Sequence, residues 1–336
     1  MSQNLKLKTI VFILLACVFC LSGTQDAGAA TKKIGILLWA KDLRNLKTLE
    51  GFMAELREEG FKPPEIEVMI KSADANRARA MKISQKFSAM KMDLYVGIGT
   101  SPALALKKEI SDRPIVFALV YDPVATGVVE SWQSPGNNVT GSSNYIFIGD
   151  VIDVVKKVVP LKSLAVIYSP GDKNAEEQLK QVKENSFSEG VRVVPVSIAS
   201  QDEAFTVLRY FKGRVEAVYL SGSVVVENAI PLIVEEAKKD HILTVSHLLD
   251  YTGKGVLLGV GKDLGHVGRT AGHQAAMILN GANPKNIPIG KQKDTEIFIN
   301  MTTARACGIN IPDEVRRSAE KLIEQQPRRE GHKSAQ

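Results

Sequence analysis

The chain has 336 residues, 44% hydrophobic and 24% charged, an ordinary globular balance and enough for one large domain or two modest ones. Three cysteines exclude a disulfide framework. The net charge of +6 is dispersed, with Lys and Arg lying among Glu along the predicted helices. That is the pattern of solvated faces, so no nucleic-acid partner is expected.

Lys6 and Lys8 precede an apolar run at 10–21, and Ala27-Gly28-Ala29-Ala30 follows a polar stretch. This is the order of a secretory signal peptide, so residues 1–30 are expected to leave by cleavage near Ala29 or Ala30. The run is shorter than the roughly 20 residues a membrane span needs. The mature protein is therefore expected to be periplasmic. Leu14-Leu15-Ala16-Cys17 keeps an alternative open, a lipoprotein anchored at Cys17. After cleavage near Ala29, only Cys307 remains, which reads as a buried small residue.

Strand and helix signals then alternate. Residues 34–39 read as a strand, 46–60 as a helix, 66–70 as a strand and 75–90 as a helix. A strand at 94–98, a helix at 103–110 and a strand at 115–120 continue the series. Such alternation predicts βαβ units and parallel sheets flanked by helices, an α/β protein. The pattern restarts 130 residues on. Lys32-Lys33-Ile34-Gly35-Ile36 has its counterpart at Lys162-Ser163-Leu164-Ala165-Val166, and Gly60 has its counterpart at Gly190. The strand before Gly99-Thr100-Ser101 matches the one before Ser221-Gly222-Ser223. Two similar Rossmann-like lobes imply a cleft between them, lined by the turns at the carboxyl ends of the strands.

Those turns carry the candidate site. In Gly99-Thr100-Ser101-Pro102 a hydroxyl is expected to cap a helix with Pro102 at its first position, aiming free N–H groups at an anion such as a carboxylate. A plain cap without a ligand fits the same residues. Trp39 ends the first strand and either stacks on a flat ligand or packs in the core. Asp122 either accepts a ligand hydrogen bond or fixes the turn before Pro123. Asp172 reads as a helix cap.

Catalytic patterns are weak. Ala103 stands where a nucleophile elbow needs glycine, and no His is placed as a partner for Ser101. Gly259-Val260-Gly261 lacks the third glycine of a dinucleotide fingerprint. His266 and His273 are two helical turns apart, too far to share a metal without other ligands. No catalytic residue, cofactor or metal is expected, and the chain is read as not an enzyme.

Residues 68–80 and 89–102, Pro114-Ile115-Val116-Phe117 with Asp122-Pro123-Val124, and Pro135-Gly136-Asn137-Asn138-Val139-Thr140-Gly141 form an ordered set. Asp263-Leu264-Gly265, Gly268-Arg269-Thr270-Ala271-Gly272 and Ile278-Leu279-Asn280-Gly281 complete it. In this order and spacing the chain resembles the ABC transporter substrate-binding protein family with tryptophan- and tyrosine-binding members, a type I periplasmic-binding fold. The resemblance implies lobe one at 31–142 plus 249–284, lobe two at 143–248 plus 285–326, and a flexible tail at 327–336. A multi-strand hinge would lie near Ser142, His247 and Pro284.

By position, the implied ligand contacts are Thr100, Ser101, Asp122, Ser142, Ser143, Asn174 and Ser223, to which Trp39 and His247 are added. Asn144, Ser223 and His247 stand where acidic cleft residues are expected of the family. Their neutrality argues against an α-amino group and for a neutral or anionic ligand. The expected function is an extracytoplasmic solute-binding protein of an ABC importer. It would be a monomer that closes on a small ligand, amino acid-like or a carboxylate, aromatic if Trp39 stacks on it, and delivers it to a membrane permease. Two alternatives remain: a ligand-sensing module for a membrane receptor, and an exported α/β hydrolase.

Overall fold

The computed structural model describes residues 31–324, apart from 134, 209, 210, 212 and 293. The expected signal segment at 1–30 and the tail at 327–336 lie outside the described residues. The first half runs β1 (Lys32–Leu38), α1 (Leu43–Glu58), β2 (Ile66–Ser72), α2 (Arg77–Met90), β3 (Leu94–Ile98), α3 (Thr100–Glu109), β4 (Ile115–Val120) and β5 (Val139–Ser143). The second half repeats the plan. It runs α4 (Ile148–Val158), β6 (Ser163–Tyr168), α5 (Lys173–Ser188), β7 (Arg192–Ser197), α6 (Gln201–Leu208), β8 (Ala217–Leu220), α7 (Val224–Lys239), β9 (Leu243–Ser246) and β10 (Leu258–Gly261). The chain then returns through α8 (Leu264–Leu279) and β11 (Gly290–Lys291). It ends with β12 (Glu296–Asn300), α9 (Met301–Ala306), α10 (Asp313–Arg317) and β13 (Lys321–Ile323).

Two sheets result. One has the order β11-β5-β4-β3-β1-β2, the other β13-β12-β10-β9-β8-β6-β7. The first five strands of each half therefore follow one order, with the second strand at an edge and the first beside the third. All pairings are parallel except β10 with β12. Central strands such as β3 and β4 are buried along their whole length, as expected for parallel strands covered on both faces. Gly60 and Gly190 follow α1 and α5 with φ of 91° and 68°, the left-handed conformation that ends a helix and that glycine adopts without strain. No helix among the described residues is long and apolar enough to cross a membrane.

The chain passes between the lobes at 144–147, at 262–263 and between β11 and β12, which differs from the expected division. Residues 249–254 form a short 3-10 helix, and β10 pairs in parallel with β9 in the second sheet. The second half thus completes its own five-strand repeat before the chain crosses back, so the crossing expected near His247 lies at 262–263. At the other end β11 pairs with β5, and the hydroxyl of Thr140 donates to the Ile287 carbonyl at 2.8 Å. Residues 285–291 therefore stay with the first sheet, and the crossing expected near Pro284 lies beyond 291. Helix α8 packs against α1, where a Cβ on Gly51 would collide with the Gly265 carbonyl and one on Gly268 with the Thr48 carbonyl. Bare backbone on both sides permits this close approach.

Candidate functional site

In a sheet of this order, helices leave to opposite sides between the first and third strands, which opens a crevice at their carboxyl ends. Both crevices face each other here and enclose one cavity of about 30 Å³, room for about two waters. Trp39, Arg44 and Asn45 after β1 line it, as do Gly99, Thr100 and Ser101 after β3. Across from them are Asp172 and Asn174 after β6, Gly222 after β8, and His247 and Leu248 after β9. Leu119 and Asn144 complete the wall. Leu119 has φ of 59° where the β4–β5 register shifts, a bulge that re-aims its side chain.

Arg44 is the charged centre of the wall. It is 6% exposed, its Nε donates to Glu227 Oε2 at 2.8 Å, and its Nη2 donates to Asp42 Oδ2 at 3.2 Å. Burial opposes its charge, but Tyr251, Asp42, Glu227 and Asp172 around it raise its pKa above the ordinary value. Lys254 Nζ also reaches Glu227, at 2.6 Å, so that buried carboxylate is doubly paired.

Arg44 to Glu227 is a bond between lobes. The Tyr121 N–H donates to Asn174 Oδ1 at 3.1 Å, Lys47 Nζ lies 3.1 Å from Asp250 Oδ1, and Arg77 donates to the Gly171 carbonyl, all likewise between lobes. The lobes are shut.

Several buried polar atoms of the wall have no partner: Asn45 Oδ1, Thr100 Oγ1, Asn144 Oδ1 and His247 Nε2. Gln178 Nε2, behind Gly222, is also without one, while its Oε1 accepts from the Gly222 N–H at 2.9 Å. Leaving such groups unpaired costs about 1–3 kcal/mol each, so they mark where a ligand's polar atoms belong. His247 Nδ1 lies 2.8 Å from the Tyr219 hydroxyl, and the two rings stack. Burial, helped by the charge of Arg44, depresses its pKa to about 3, so it meets a ligand as a neutral imidazole. Asp172 caps α5 by accepting from the N–H groups of Asn174 at 3.0 Å and Ala175 at 3.3 Å. Burial raises its pKa, against the pull of those N–H groups and of Arg44.

Five of the nine expected site residues line this cavity: Trp39, Thr100, Ser101, Asn174 and His247. The other four are occupied elsewhere. Asp122 Oδ1 accepts from the N–H groups of Val124 at 3.0 Å and Ala125 at 2.9 Å and so fixes its turn. Ser142 donates to the Val267 carbonyl and Ser143 to the Tyr121 carbonyl, each at 2.6 Å. Ser223 caps α7, accepting from the Val226 N–H at 3.1 Å, and shares a hydrogen bond with Ser169.

The cap of α3 also differs from expectation. Gly99 is the cap residue, with φ of 104° and no side-chain bond, and Pro102 is the third helical residue. The hydroxyls of Thr100 and Ser101 are therefore not spent on capping. Sequence reasoning did not assign Arg44, Asn45 or Leu119 to the site. Asp172, read as a helix cap, is one and also lies in the cavity wall.

Among the described residues, Glu55, Glu59 and His273 are the one group whose ligand atoms, within 4.8 Å of one another, could hold a metal. It lies on α1 and α8, outside the cavity wall, and Arg269 already pairs with Glu55 at 3.0 Å.

Two α/β lobes closed over a polar cavity at their strand ends define a ligand-binding protein of the cleft type. The chain belongs to the ABC transporter substrate binding protein family, whose model matches residues 33–323. It is 28% identical to a tyrosine-binding protein of Clostridioides difficile, over 82% of this chain and 80% of that one. It superposes with a TM-score of 0.83 on an ABC domain from Streptococcus pneumoniae in complex with L-Trp. That protein is 24% identical, and the match covers 88% of this chain and all of the other. The ligand-free, open structure of a substrate binding protein with adhesive properties from Clostridium difficile gives a TM-score of 0.71. There the identity is 26%, with 88% of this chain and all of that one covered.

Proposed function

We propose that this protein is the extracytoplasmic solute-binding component of an ABC importer and that it closes on an aromatic amino acid. The observation that carries the reading is the set of buried, unpartnered polar atoms from both lobes around one cavity. A ligand that satisfies both walls at once stabilises the shut form, and its release on a permease reopens the cleft. Asp172 suits the ammonium group. The first two amides of α3 have no intrahelical acceptor and, with the Thr100 hydroxyl, suit the carboxylate.

The tyrosine-binding relative supports the amino-acid class, and the higher superposition score on a ligand-bound neighbour than on an open one supports a closed form. Thr100 Oγ1 and His247 Nε2 share no hydrogen bond, so no nucleophile–base pair assembles among the described residues of the wall, which favours binding over turnover. We place the mature protein in the periplasm as a monomer that docks on its permease.

The test is calorimetric titration of the mature protein with L-tyrosine, L-tryptophan and L-phenylalanine, against D-ribose and benzoate as controls. Micromolar or tighter binding of an aromatic amino acid is expected, with about a hundredfold loss in Asp172→Asn because its charge-assisted bond to the ammonium is removed. Binding of benzoate alone, unaffected by Asp172→Asn, would overturn the amino-acid reading.

A further inference from the structure

Beside the inner cavity lies a second chamber about nine times larger, about 270 Å³ in volume. It shares Thr100, Ser101 and Asp172 with the inner one, so the two adjoin at the start of α3. Their chemistry differs. The inner wall is mostly polar. The outer chamber has an apolar floor of Met81, Leu104 and Ala105 between α2 and α3. Its rim carries Arg77, Lys108 and Lys173, all exposed. Lys108 and Lys173 have no ion-pair partner among the described residues, and Asp172 is the chamber's one carboxylate.

The inner cavity, with room for about two waters, takes the charged end of an amino acid at most and not an aromatic side chain. The rest of a ligand would extend past Thr100 and Ser101 toward the adjoining outer chamber. A plain aromatic ring would satisfy the floor and leave Lys108 and Lys173 of the rim without a counter-charge.

We propose that the outer chamber is a second ligand subsite, built for an apolar side chain that ends in an anion, so that the solute is an amino acid with a carboxylate-tipped aryl or alkyl side chain. This rests on the amino-acid reading of the inner cavity and adds to it the identity of the side chain. The floor takes up the apolar segment by burial, and the rim pairs with the terminal charge.

The test uses three probes that share one head group: L-phenylalanine, 4-carboxy-L-phenylalanine and its neutral isostere 4-carbamoyl-L-phenylalanine. Each is titrated calorimetrically into the mature protein and into the Lys108→Gln/Lys173→Gln double variant. The carboxy probe is expected to bind about tenfold more tightly than the carbamoyl probe, the sum of two ion pairs with exposed lysines at about 0.7 kcal/mol each. That ratio should fall to about twofold or less in the double variant and with 0.5 M NaCl, since rim charges are screened by salt. Both lysines are exposed, so the double variant is expected to unfold at the temperature of the parent. If L-phenylalanine binds and the two substituted probes bind equally, the anionic subsite is overturned and the solute-binding reading stands. If none of the three binds, the amino-acid reading falls and takes the subsite with it.

Discussion

Asp42-Leu43-Arg44 after β1 and Asp172-Lys173-Asn174 after β6 are equivalent turns, 130 residues apart. Each aspartate caps the helix that follows, α1 in one lobe and α5 in the other. Two residues on, each helix sends one side chain across the cleft. Arg44 reaches Glu227 as a buried ion pair, and Asn174 accepts from the main chain of Tyr121. A duplicated scaffold thus supplies two clasps at symmetry-related places but of unequal kind. One is a charge whose loss would leave a buried carboxylate with Lys254 as its remaining partner, the other a single neutral hydrogen bond. The ligand site between them inherits that asymmetry, with a buried guanidinium, Arg44, on one side and a neutral side chain, Asn174, on the other.

The contrast can be broken most directly at the clasps. Arg44→Ala is expected to weaken L-tyrosine binding about a hundredfold, or about 3 kcal/mol, because Glu227 stays buried with one partner fewer. Asn174→Ala should cost about 1 kcal/mol, roughly fivefold. Equal losses in calorimetric titration would mean that the two turns are energetically alike and that closure is carried elsewhere.

His247 sharpens the comparison, since its pKa of about 3 owes something to Arg44 in the opposite lobe. The folded protein binds fewer protons there than the unfolded chain between pH 3 and 6.5. The His247 contribution is therefore complete above pH 6.5 and is lost as the pH falls through that window. About 2.5 kcal/mol should go between pH 6.5 and 4.5. Urea unfolding of the parent and of His247→Gln at the two pH values isolates this share. Arg44→Ala should narrow the window by letting the imidazole titrate higher.

The smallest effects concern the turns after β3 and β8. Ser223→Ala removes a helix cap and should cost about 1 kcal/mol of stability with little change in affinity. Thr100→Ala removes an unpartnered hydroxyl, so stability should hold or rise slightly while L-tyrosine affinity falls about fivefold. The reverse pattern, read from melting temperature and titration together, would exchange the roles assigned to the two turns.

Much of this was legible in the sequence. The alternating strands, the restart at 162–166 and the paired Gly60 and Gly190 all reflect local patterns and a fixed offset. They led to two lobes, the turns after the strands led to Trp39, Thr100 and Ser101, and the family resemblance led to Asn174 and His247. Arg44 was hidden because it sits in a helix otherwise rich in solvated charge, and its burial depends on Glu227, 183 positions away. The same offset of 130 pairs Asp42 with Asp172 and Arg44 with Asn174, and that signal would have found it. Ser142, Ser143 and Ser223 were misassigned because a small hydroxyl at a strand end suits a main-chain acceptor or a helix cap as well as a ligand. The crossing at 262–263 was misplaced because β10 is only four residues long and contains two glycines, a faint strand signal.

The three passages between lobes bear on how the chain is made. The first lobe's α8 lies more than two hundred residues after the α1 it packs on, and its edge strand β11 arrives at residue 290. The second lobe waits for β12 and β13, the last of which starts at Lys321. A growing polypeptide therefore cannot finish one lobe and then begin the next. Each needs segments made after most of the other is present, and until α8 emerges α1 presents its glycine-bearing face without a cover. Contacts of such long sequence separation fold slowly, so the nascent chain stays pliable until almost all of it is present.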